Sequence, residues 1–275
     1  MRLATVRVEG RTQAAAVDDE SVHLLPFPDL GSLLAGGGDV SDWRYHALDE
    51  RSLSGVEMAP VVMPDAMYAV GLNFRSHILE MGRELPSRPT IFTKHRSTLI
   101  GAHDAISLDD ASERWDYEAE LAVVVGRAAR RVTVAEATEV IAGYCVTNDV
   151  TARDWQNHGS QWTPGKNFEG TAPLGPVLTT RAAVTDLGDR ILSCHVDGQR
   201  VQRAPLSDLL FGPPEVVAYL STFVTLRPGD VIAMGTPAGV AAGGGGPWLR
   251  RGSELRTEVE GLGACRNLCA TSAPS

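Results

Sequence analysis

Two glutamates beside an unbroken apolar run place the strongest constraint on how this chain folds. Glu118 and Glu120 are separated by one residue, and residues 121–125 that follow are Leu, Ala and three Val residues. The short length and high valine content of residues 117–125 predict a β-strand, on which alternate side chains share one face. The two carboxylates therefore point to the same side, next to an apolar segment that must be buried.

Two ionised carboxylates in a half-buried site repel each other and lose hydration, so they require protonation, a basic partner or a divalent cation. Asp149 ends a β-rich run at residues 143–147 and can supply a third carboxylate. Three carboxylates suit a hard cation, and the sequence therefore predicts a Mg2+ site formed by Glu118, Glu120 and Asp149, with Mn2+ or Ca2+ as alternatives. For an E-x-E pair taken alone, a solvated strand edge is the competing interpretation.

A histidine and a glutamate three residues apart form a second candidate pair. His77 and Glu80 follow a buried-looking strand at residues 66–73. On a helix the two side chains share a face, so the carboxylate can orient the imidazole and raise its basicity. A general base that removes a proton from water near neutral pH needs this arrangement. An ordinary exposed helix contact is the alternative interpretation.

The chain also carries a series of short motifs in a fixed order. They are VGLNFRSH at 70–77, EMG at 80–82, DYEAELA at 116–122, GY at 143–144, NDVTARD at 148–154, GKNF at 165–168 and GTPAGV at 235–240. Their order and spacing, over residues from about 66 to 268, resemble the fumarylacetoacetate hydrolase family. Each motif alone is weak, whereas the combination is specific.

This resemblance implies a mixed, β-rich α/β fold of the distorted β-roll type and assembly as a homodimer. It also implies a small N-terminal domain at residues 1–60 and a catalytic domain at residues 61–275. In the family the E-x-E pair and the later aspartate bind Mg2+ or a similar ion, which matches Glu118, Glu120 and Asp149. In several members the pair matching His77 and Glu80 activates the attacking water.

Four further residues are candidates for the active site. Lys166 matches the family's active-site lysine and would balance surplus negative charge or stabilise an enolate. Gln161 matches a glutamine that often contacts substrate. From the residues themselves, Arg75 can meet a substrate carboxylate, and Thr236 can offer a hydroxyl and backbone N–H groups. A solvated arginine and a tight turn are the simpler interpretations of these last two.

Three neighbouring features receive simpler interpretations. Lys94 lies on a predicted strand at residues 89–94, and a lone strand lysine is usually solvated. Arg153 or Asp154 can form an outer layer that holds the ligand carboxylates. Residues 241–247 are rich in glycine and predict a flexible loop, at which the chain departs from the family pattern.

The predicted function is metal-dependent hydrolysis of a C–C bond in a 2,4-dioxo acid, such as an acylpyruvate or a fumarylacetoacetate-like substrate, through a stabilised enolate. Members of the resembled family also decarboxylate oxaloacetate-like acids and isomerise unsaturated dioxo acids, which provides the first alternative. A tautomerase or cyclase in a biosynthetic pathway is a further alternative, as is a metal-binding protein without turnover.

Composition restricts the partners of this protein. It has 25 basic and 34 acidic residues and a net charge of −9, which argues against nucleic acid or an anionic membrane as a partner. No signal peptide or membrane span is evident, so a cytoplasmic location is expected. Cys145, Cys194, Cys265 and Cys269 are dispersed and predict reduced core thiols.

Local patterns predict further secondary structure. Antiparallel strands are predicted at 2–8, 13–17 and 22–25, helices at 30–34, 40–51, 131–141 and 214–221, a last strand at 254–259 and a frayed end at 270–275. The helix at 131–141 has the clearest signal, because Thr133 and Glu136 form a capping-box pattern.

Overall fold

The computed structural model describes residues 1–37 and 47–271, which form a β-rich mixture of strands and short helices. The strands are β1 (Arg2–Val8), β2 (Arg11–Val17), β3 (Ser21–Leu24), β4 (Asp49–Ser52), β5 (Glu57–Met58), β6 (Met67–Gly71), β7 (Thr90–Lys94), β8 (Leu99–Ile100), β9 (Ile106–Leu108), β10 (Trp115–Asp116), β11 (Ala119–Val125), β12 (Ile141–Asn148), β13 (Thr151–Ala152), β14 (Ala172–Thr180), β15 (Ile191–Val196), β16 (Gln199–Pro205), β17 (Val231–Ala233), β18 (Glu254–Val259) and β19 (Gly263–Thr271). The α-helices are α1 (Leu30–Ala35), α2 (Arg75–Glu80), α3 (Val134–Val140), α4 (Arg153–Gln156), α5 (Thr163–Lys166) and α6 (Pro213–Ser221). Short 3-10 helices lie at Leu53–Gly55, Arg96–Thr98, Arg181–Ala183, Leu206–Asp208 and Ala241–Gly243.

The described strands build one large mixed sheet and two smaller ones. The large sheet has 12 strands in the order β4-β3-β2-β1-β14-β12-β11-β17-β6-β7, with β5 paired to β1 and β8 paired to β14. A five-stranded sheet has the order β16-β15-β18-β19-β9, and β10 with β13 forms a two-stranded sheet. The prediction of a mixed, β-rich fold is confirmed.

Strand β11 is buried on both faces because its side chains alternate between two apolar clusters. Leu121 and Val123 pack into one cluster, whereas Ala122 and Val124 pack into the other. The strand lies between β12 and β17, and both pair with it in antiparallel register. The E-x-E glutamates have the same parity as Ala122, so they lie on one face of the sheet, as the strand prediction requires.

The N-terminal strands are part of the large sheet. The predicted antiparallel meander is present as β1, β2 and β3. Strand β1 also pairs with β14, where Leu3 faces Leu178. Both leucines are buried in the same apolar cluster. Residues 1–60 therefore share a sheet and a core with the rest of the chain, and the domain boundary near residue 60 stays a prediction.

Two other N-terminal and C-terminal predictions need correction. The helix predicted at residues 40–51 lies largely outside the described residues, and its described end is wrong because Asp49–Ser52 pair with β3 as a strand. The strand at Glu254–Val259 is confirmed but is not the last one, since Gly263–Thr271 continue the sheet. Tertiary pairing decides both cases. The frayed end predicted at 270–275 is wrong for Ala270 and Thr271, which lie in β19, and the rest of that range lies outside the described residues.

The helices are short and locally specified. Helix α3 has the predicted capping box, in which the Thr133 hydroxyl accepts from the Glu136 amide and the Glu136 carboxylate accepts from the Thr133 amide. It begins at Val134, later than predicted. In the described ranges, no helix is long and apolar enough to cross a membrane.

The four cysteines are free and buried, as predicted. Burial raises the pKa of the Cys145 thiol and that of the Cys194 thiol well above the usual range of a cysteine. These groups therefore stay protonated and act as small apolar core residues.

We expect Leu178→Ala to lower the free energy of unfolding by about 2–5 kcal/mol, because the side chain is fully buried and its removal leaves a cavity. Since Leu178 joins β14 to β1, urea unfolding followed by circular dichroism should show one cooperative transition at a lower midpoint. Leu268→Ala, at a residue that is 55% exposed, is the control and should change little. Two separate transitions in the wild-type protein would contradict the shared core.

Candidate metal and acid–base site

Three carboxylates meet where β11 begins and β12 ends. Glu118 precedes β11, Glu120 lies within it, and Asp149 follows β12. The pairing of Ala119 with Asn148 brings these positions together, and the Asp149 amide donates to the Glu118 carbonyl at 2.9 Å. One ligand atom from each carboxylate lies within 4.8 Å of the others. The structure thus brings together all three predicted metal ligands.

Glu120 is the least compensated carboxylate of the three. Its Oε2 accepts a hydrogen bond of 2.6 Å from the Gly235 amide. Burial raises the pKa of Glu120 well above its usual range, and the negative charges of Asp149 and Glu118 raise it further. An added positive charge at this point would relieve the repulsion.

Lys166 bridges the other two carboxylates. It ends α5, and its Nζ donates to Glu118 Oε2 at 2.7 Å and to Asp149 Oδ2 at 2.8 Å. Burial favours the neutral amine, but the two carboxylates raise the pKa of Lys166 overall, so the group is an ammonium. The predicted position of this lysine beside the acidic cluster agrees with the structure.

Lys94 differs from its prediction, because it is buried and not solvated. Its side chain has 0% exposure, and its Nζ donates to Asp149 Oδ1 at 2.6 Å and to the Lys166 carbonyl. Strand β7 carries it at the C-terminal end. The sequence near Lys94 does not predict its burial, because the carboxylate that pairs with it, Asp149, lies more than fifty residues away in the chain.

Arg153 holds Glu118 from the opposite side. It begins α4, and its Nη2 lies 2.7 Å from Glu118 Oε1, while its Nε donates to Asp116 Oδ2 at 2.8 Å. Burial alone would raise the pKa of Glu118, but the positive charges of Lys166 and Arg153 outweigh this effect and lower the pKa below its usual range. Of the two residues expected in an outer layer, Arg153 therefore contacts a ligand, whereas Asp154 binds Ser112.

The predicted acid–base pair is present on α2. His77 Nδ1 lies 3.2 Å from Glu80 Oε2, and His77 is only 8% exposed. The Glu80 carboxylate also accepts from the Gly239 amide at 3.2 Å. If Nδ1 carries the proton shared with Glu80, Nε2 is the free acceptor of the ring. The pair can therefore exchange a proton with a bound molecule.

A cavity of about 130 Å³ is lined both by Glu118 of the carboxylate cluster and by His77 of this pair. Its wall includes His77, Glu118, Lys166 and Thr236, and also Arg83. Further lining residues are Val70, Gly71, Leu72, Met81, Phe92, Arg153, Gln156, Asn157, Trp162 and Gly235. The buried Thr236 hydroxyl already accepts from Gln202 Nε2 at 2.9 Å.

Two predicted substrate residues are not in this wall. Arg75 turns away because its Nη1 donates to the carbonyls of Asp208 and Leu209, the latter at 2.6 Å. Gln161 is exposed, and its neighbour Trp162 takes the place in the cavity. Arg75 begins α2, and nothing in the sequence indicates whether its side chain points to the cavity or to the carbonyls of Asp208 and Leu209.

The donor set fits a hard divalent cation. Its three ligands are all carboxylates, the type that Mg2+, Mn2+ and Ca2+ prefer. With Asp116, the cluster contains four buried carboxylates, of which Asp116, Glu118 and Asp149 pair with Lys94, Lys166 and the half-buried Arg153. Glu120 faces Glu118 and Asp149 and has no ion pair among the described residues, so the cluster has a place for further positive charge.

Several known proteins are similar to this chain in sequence and in fold. Residues 66–269 match the fumarylacetoacetate hydrolase C-terminal family. The chain is 39% identical over 212 residues to the mitochondrial oxaloacetate tautomerase Fahd2a of Rattus norvegicus, a match that covers 76% of this chain and 68% of the rat protein.

Two solved structures superpose closely. A fumarylacetoacetate hydrolase from Exiguobacterium antarcticum has a TM-score of 0.89 at 28% identity and covers 98% of this chain and 99% of its own. A 5-carboxymethyl-2-hydroxymuconate delta-isomerase from Mycobacterium smegmatis has a TM-score of 0.85 at 29% identity and covers 99% of this chain and 100% of its own. The expected β-roll fold is confirmed, and the chain belongs to the fumarylacetoacetate hydrolase family.

Proposed function

We propose that this protein catalyses keto–enol tautomerisation of a 2-oxo dicarboxylic acid of the oxaloacetate type, with a divalent cation. The observation that carries the proposal is that one cavity is lined both by Glu118, a member of the three-carboxylate cluster, and by His77, the partner of Glu80. The similarity to an oxaloacetate tautomerase favours this reaction over the C–C hydrolysis expected from the sequence.

The carboxylate cluster holds the cation in this proposal. Glu118, Glu120 and Asp149 are its ligands, and a bound Mg2+ or Mn2+ would supply Lewis-acid stabilisation of negative charge on the 2-oxo oxygen of the substrate. Lys166 and Arg153 keep Glu118 ionised by their positive charge. Lys94 contacts Asp149 directly, with 2.6 Å between its Nζ and Asp149 Oδ1.

His77 carries the proton. As a base it removes a proton from C3 of the keto acid through Nε2, and as an acid it returns that proton to the C2 oxygen, which forms the enol. The Glu80 carboxylate accepts a hydrogen bond from Nδ1–H, which orients the ring and stabilises the imidazolium that exists between the two steps. The Lys166 ammonium stabilises the negative charge that develops on oxygen.

Arg83 is the group that would recognise the second carboxylate. It lines the cavity and is exposed, and no hydrogen bond or ion pair of its guanidinium is present among the described residues. The other cationic wall residues, Arg153 and Lys166, are already paired with carboxylates. A free guanidinium at the cavity mouth favours a substrate with a second acidic group.

Hydrolysis of a C–C bond is the second candidate. The same His77–Glu80 pair can deprotonate water, and the similar Exiguobacterium antarcticum structure is a fumarylacetoacetate hydrolase. Both reactions use an enolate, but only hydrolysis needs a water molecule beside the pair. An assay that follows the ultraviolet absorbance of the enol and, separately, release of pyruvate distinguishes the two.

Assembly and location stay predictions. A homodimer is implied by the family resemblance, and the absence of nucleic-acid partners by the acidic composition. The cytoplasmic location expected from the sequence also stays a prediction. The name of the rat relative includes a mitochondrial location. Sedimentation and cell fractionation test these points.

Glu120→Gln should bind Mg2+ and Mn2+ at least 100-fold more weakly in calorimetry, because one of three charged ligands is lost. The metal-free variant should nevertheless be more stable than the wild type at pH 7, because burial raises the pKa of Glu120 in the folded protein. A carboxyl whose pKa is raised on folding costs stability above its unfolded pKa, and the amide removes that cost. Glu113→Gln, at an exposed carboxylate outside the cluster, is the control. Unchanged metal affinity in Glu120→Gln would contradict the ligand assignment.

His77→Ala should reduce kcat for the enol–keto conversion of oxaloacetate by about 100-fold or more, the usual contribution of a general base. Its metal affinity should stay near the wild-type value, because His77 is not a ligand. The measurement is the loss of enol absorbance, corrected for the uncatalysed rate. Tautomerase activity equal to the wild type, with pyruvate release from an acylpyruvate abolished, would instead favour the hydrolase.

Arg83→Met should raise KM for oxaloacetate on the order of 10-fold, because one charge-assisted hydrogen bond is lost. Affinity for pyruvate, which lacks the second carboxylate, should change less than about twofold. Arg88→Met is the matched control, since Arg88 is exposed on the same segment but does not line the cavity. Equal effects of the two substitutions would exclude a specific role of Arg83.

A further inference from the structure

Asp116 is a fully buried carboxylate that does not itself line the cavity. It lies in β10, has 0% exposure, and uses both oxygens as acceptors. Oδ1 accepts from the amides of Tyr117 and Ala241, each at 2.8 Å. Oδ2 accepts from Arg153 Nε at 2.8 Å and from the Ala242 amide at 3.1 Å. Within the described part of the chain, each hydrogen bond of this carboxylate comes from an N–H donor.

One of these contacts leads to the metal ligands. The Arg153 guanidinium is planar, so a bond from Asp116 to its Nε sets the direction of its Nη2, which lies 2.7 Å from Glu118 Oε1. Its Nη1 donates to Gln156 at 2.9 Å. Asp116 thereby fixes the rotation of the arginine that holds Glu118.

The other contacts lead to the acid–base pair. Ala241 and Ala242 begin the 3-10 helix Ala241–Gly243, and their amides are held by Asp116. The preceding Gly239 amide donates to Glu80, the partner of His77. The backbone of this loop therefore joins Asp116 to Glu80.

The glycines of this loop serve close packing. A Cβ on Gly243 would lie 3.2 Å from Glu80 Cδ, and a Cβ on Gly245 would lie 2.2 Å from the Gly239 carbonyl oxygen. At Gly246 a Cβ would lie 2.6 Å from the Tyr117 hydroxyl. The glycine-rich run that predicted a flexible loop is thus a segment that lies tightly against the residues it positions.

We propose that Asp116 is a positioning residue that fixes the metal ligand Glu118 and the acid–base pair His77–Glu80 relative to each other. It acts on Glu118 through Arg153 and on Glu80 through the backbone of residues 239–242. The proposal rests on the proposed function for its catalytic consequence, but its two structural links can be measured without substrate. Asp116 takes no part in bond making.

An asparagine at this position cannot replace the aspartate. The carboxylate faces N–H donors with both oxygens, whereas an amide offers one oxygen and one NH2 group. In either orientation of the amide, its NH2 group faces two N–H donors, either those of Tyr117 and Ala241 or those of Arg153 and Ala242. Asp116→Asn therefore weakens both links while it keeps the size of the side chain. In either orientation Ala241 or Ala242 loses its acceptor, and the neutral amide removes the charge that pairs with Arg153.

The test compares Asp116→Asn with Asp104→Asn in the full chain. Asp104 is a matched control, because it also accepts a two-pronged arginine contact, from Arg7 at 2.8 and 2.6 Å, and a backbone amide, from Gly101 at 2.7 Å, outside the cavity wall. Calorimetric titration with Mn2+ should show an affinity 10–100-fold weaker in Asp116→Asn and within about twofold of wild type in Asp104→Asn. Thermal unfolding checks that both variants fold.

Hydrogen exchange of the amides in residues 239–246 tests the second link without metal or substrate. Exchange should accelerate in Asp116→Asn and stay at the wild-type rate in Asp104→Asn. Arg153→Lys separates the links: it should weaken Mn2+ binding, since a lysine cannot contact Asp116 and Glu118 as a fork, but leave exchange in the loop unchanged.

Metal affinity and loop exchange in Asp116→Asn that match Asp104→Asn would overturn the proposal. If Asp116→Asn does not fold, wild-type Mn2+ affinity in Arg153→Lys overturns it instead. Failure of the proposed function has a different signature, because a wild-type protein that binds Mn2+ but does not convert enol oxaloacetate would leave both structural links intact.

Discussion

The balance of charge inside one buried cluster is the constraint on which the rest of this structure depends. Carboxylates that are removed from water must be paired, and each pairing here comes from a different part of the chain. Lys166 pairs with both Glu118 and Asp149. Arg153 pairs with the other oxygen of Glu118, and Lys94 pairs with the other oxygen of Asp149. Glu120 is left without an ion pair among the described residues, which makes the cluster a place for a cation.

The large sheet makes this cluster possible. Strands β11 and β12 are buried on both sides and pair over seven positions, so the carboxylates at their ends have little freedom to separate. The cationic residues come instead from the end of β7 and from the short helices α4 and α5. The paired strands β11 and β12 hold the ligand carboxylates, and the end of β7 and the two short helices place the cationic side chains beside them.

The chemistry that such a site supports depends on what lies beside the enolate. Stabilised negative charge on oxygen serves tautomerisation, decarboxylation and hydrolysis equally. In the proposed function, the His77–Glu80 pair adds proton transfer, and Arg83 adds a charge that selects an acidic substrate. Related proteins with tautomerase, hydrolase and isomerase names therefore share one fold, and the groups around a common centre distinguish them.

The amino-acid sequence by itself determined the features that depend on near neighbours. Alternation along β11 put the two glutamates on one face, and the Thr133–Glu136 pattern started α3, because strand and helix periods are local properties. The tertiary structure alone decided that Lys94 is buried, that Arg75 turns towards backbone carbonyls, and that Asp116 links the glycine-rich loop to Arg153. A charged side chain reaches whichever partner the fold brings near, and those partners lie tens to more than one hundred residues away in the chain.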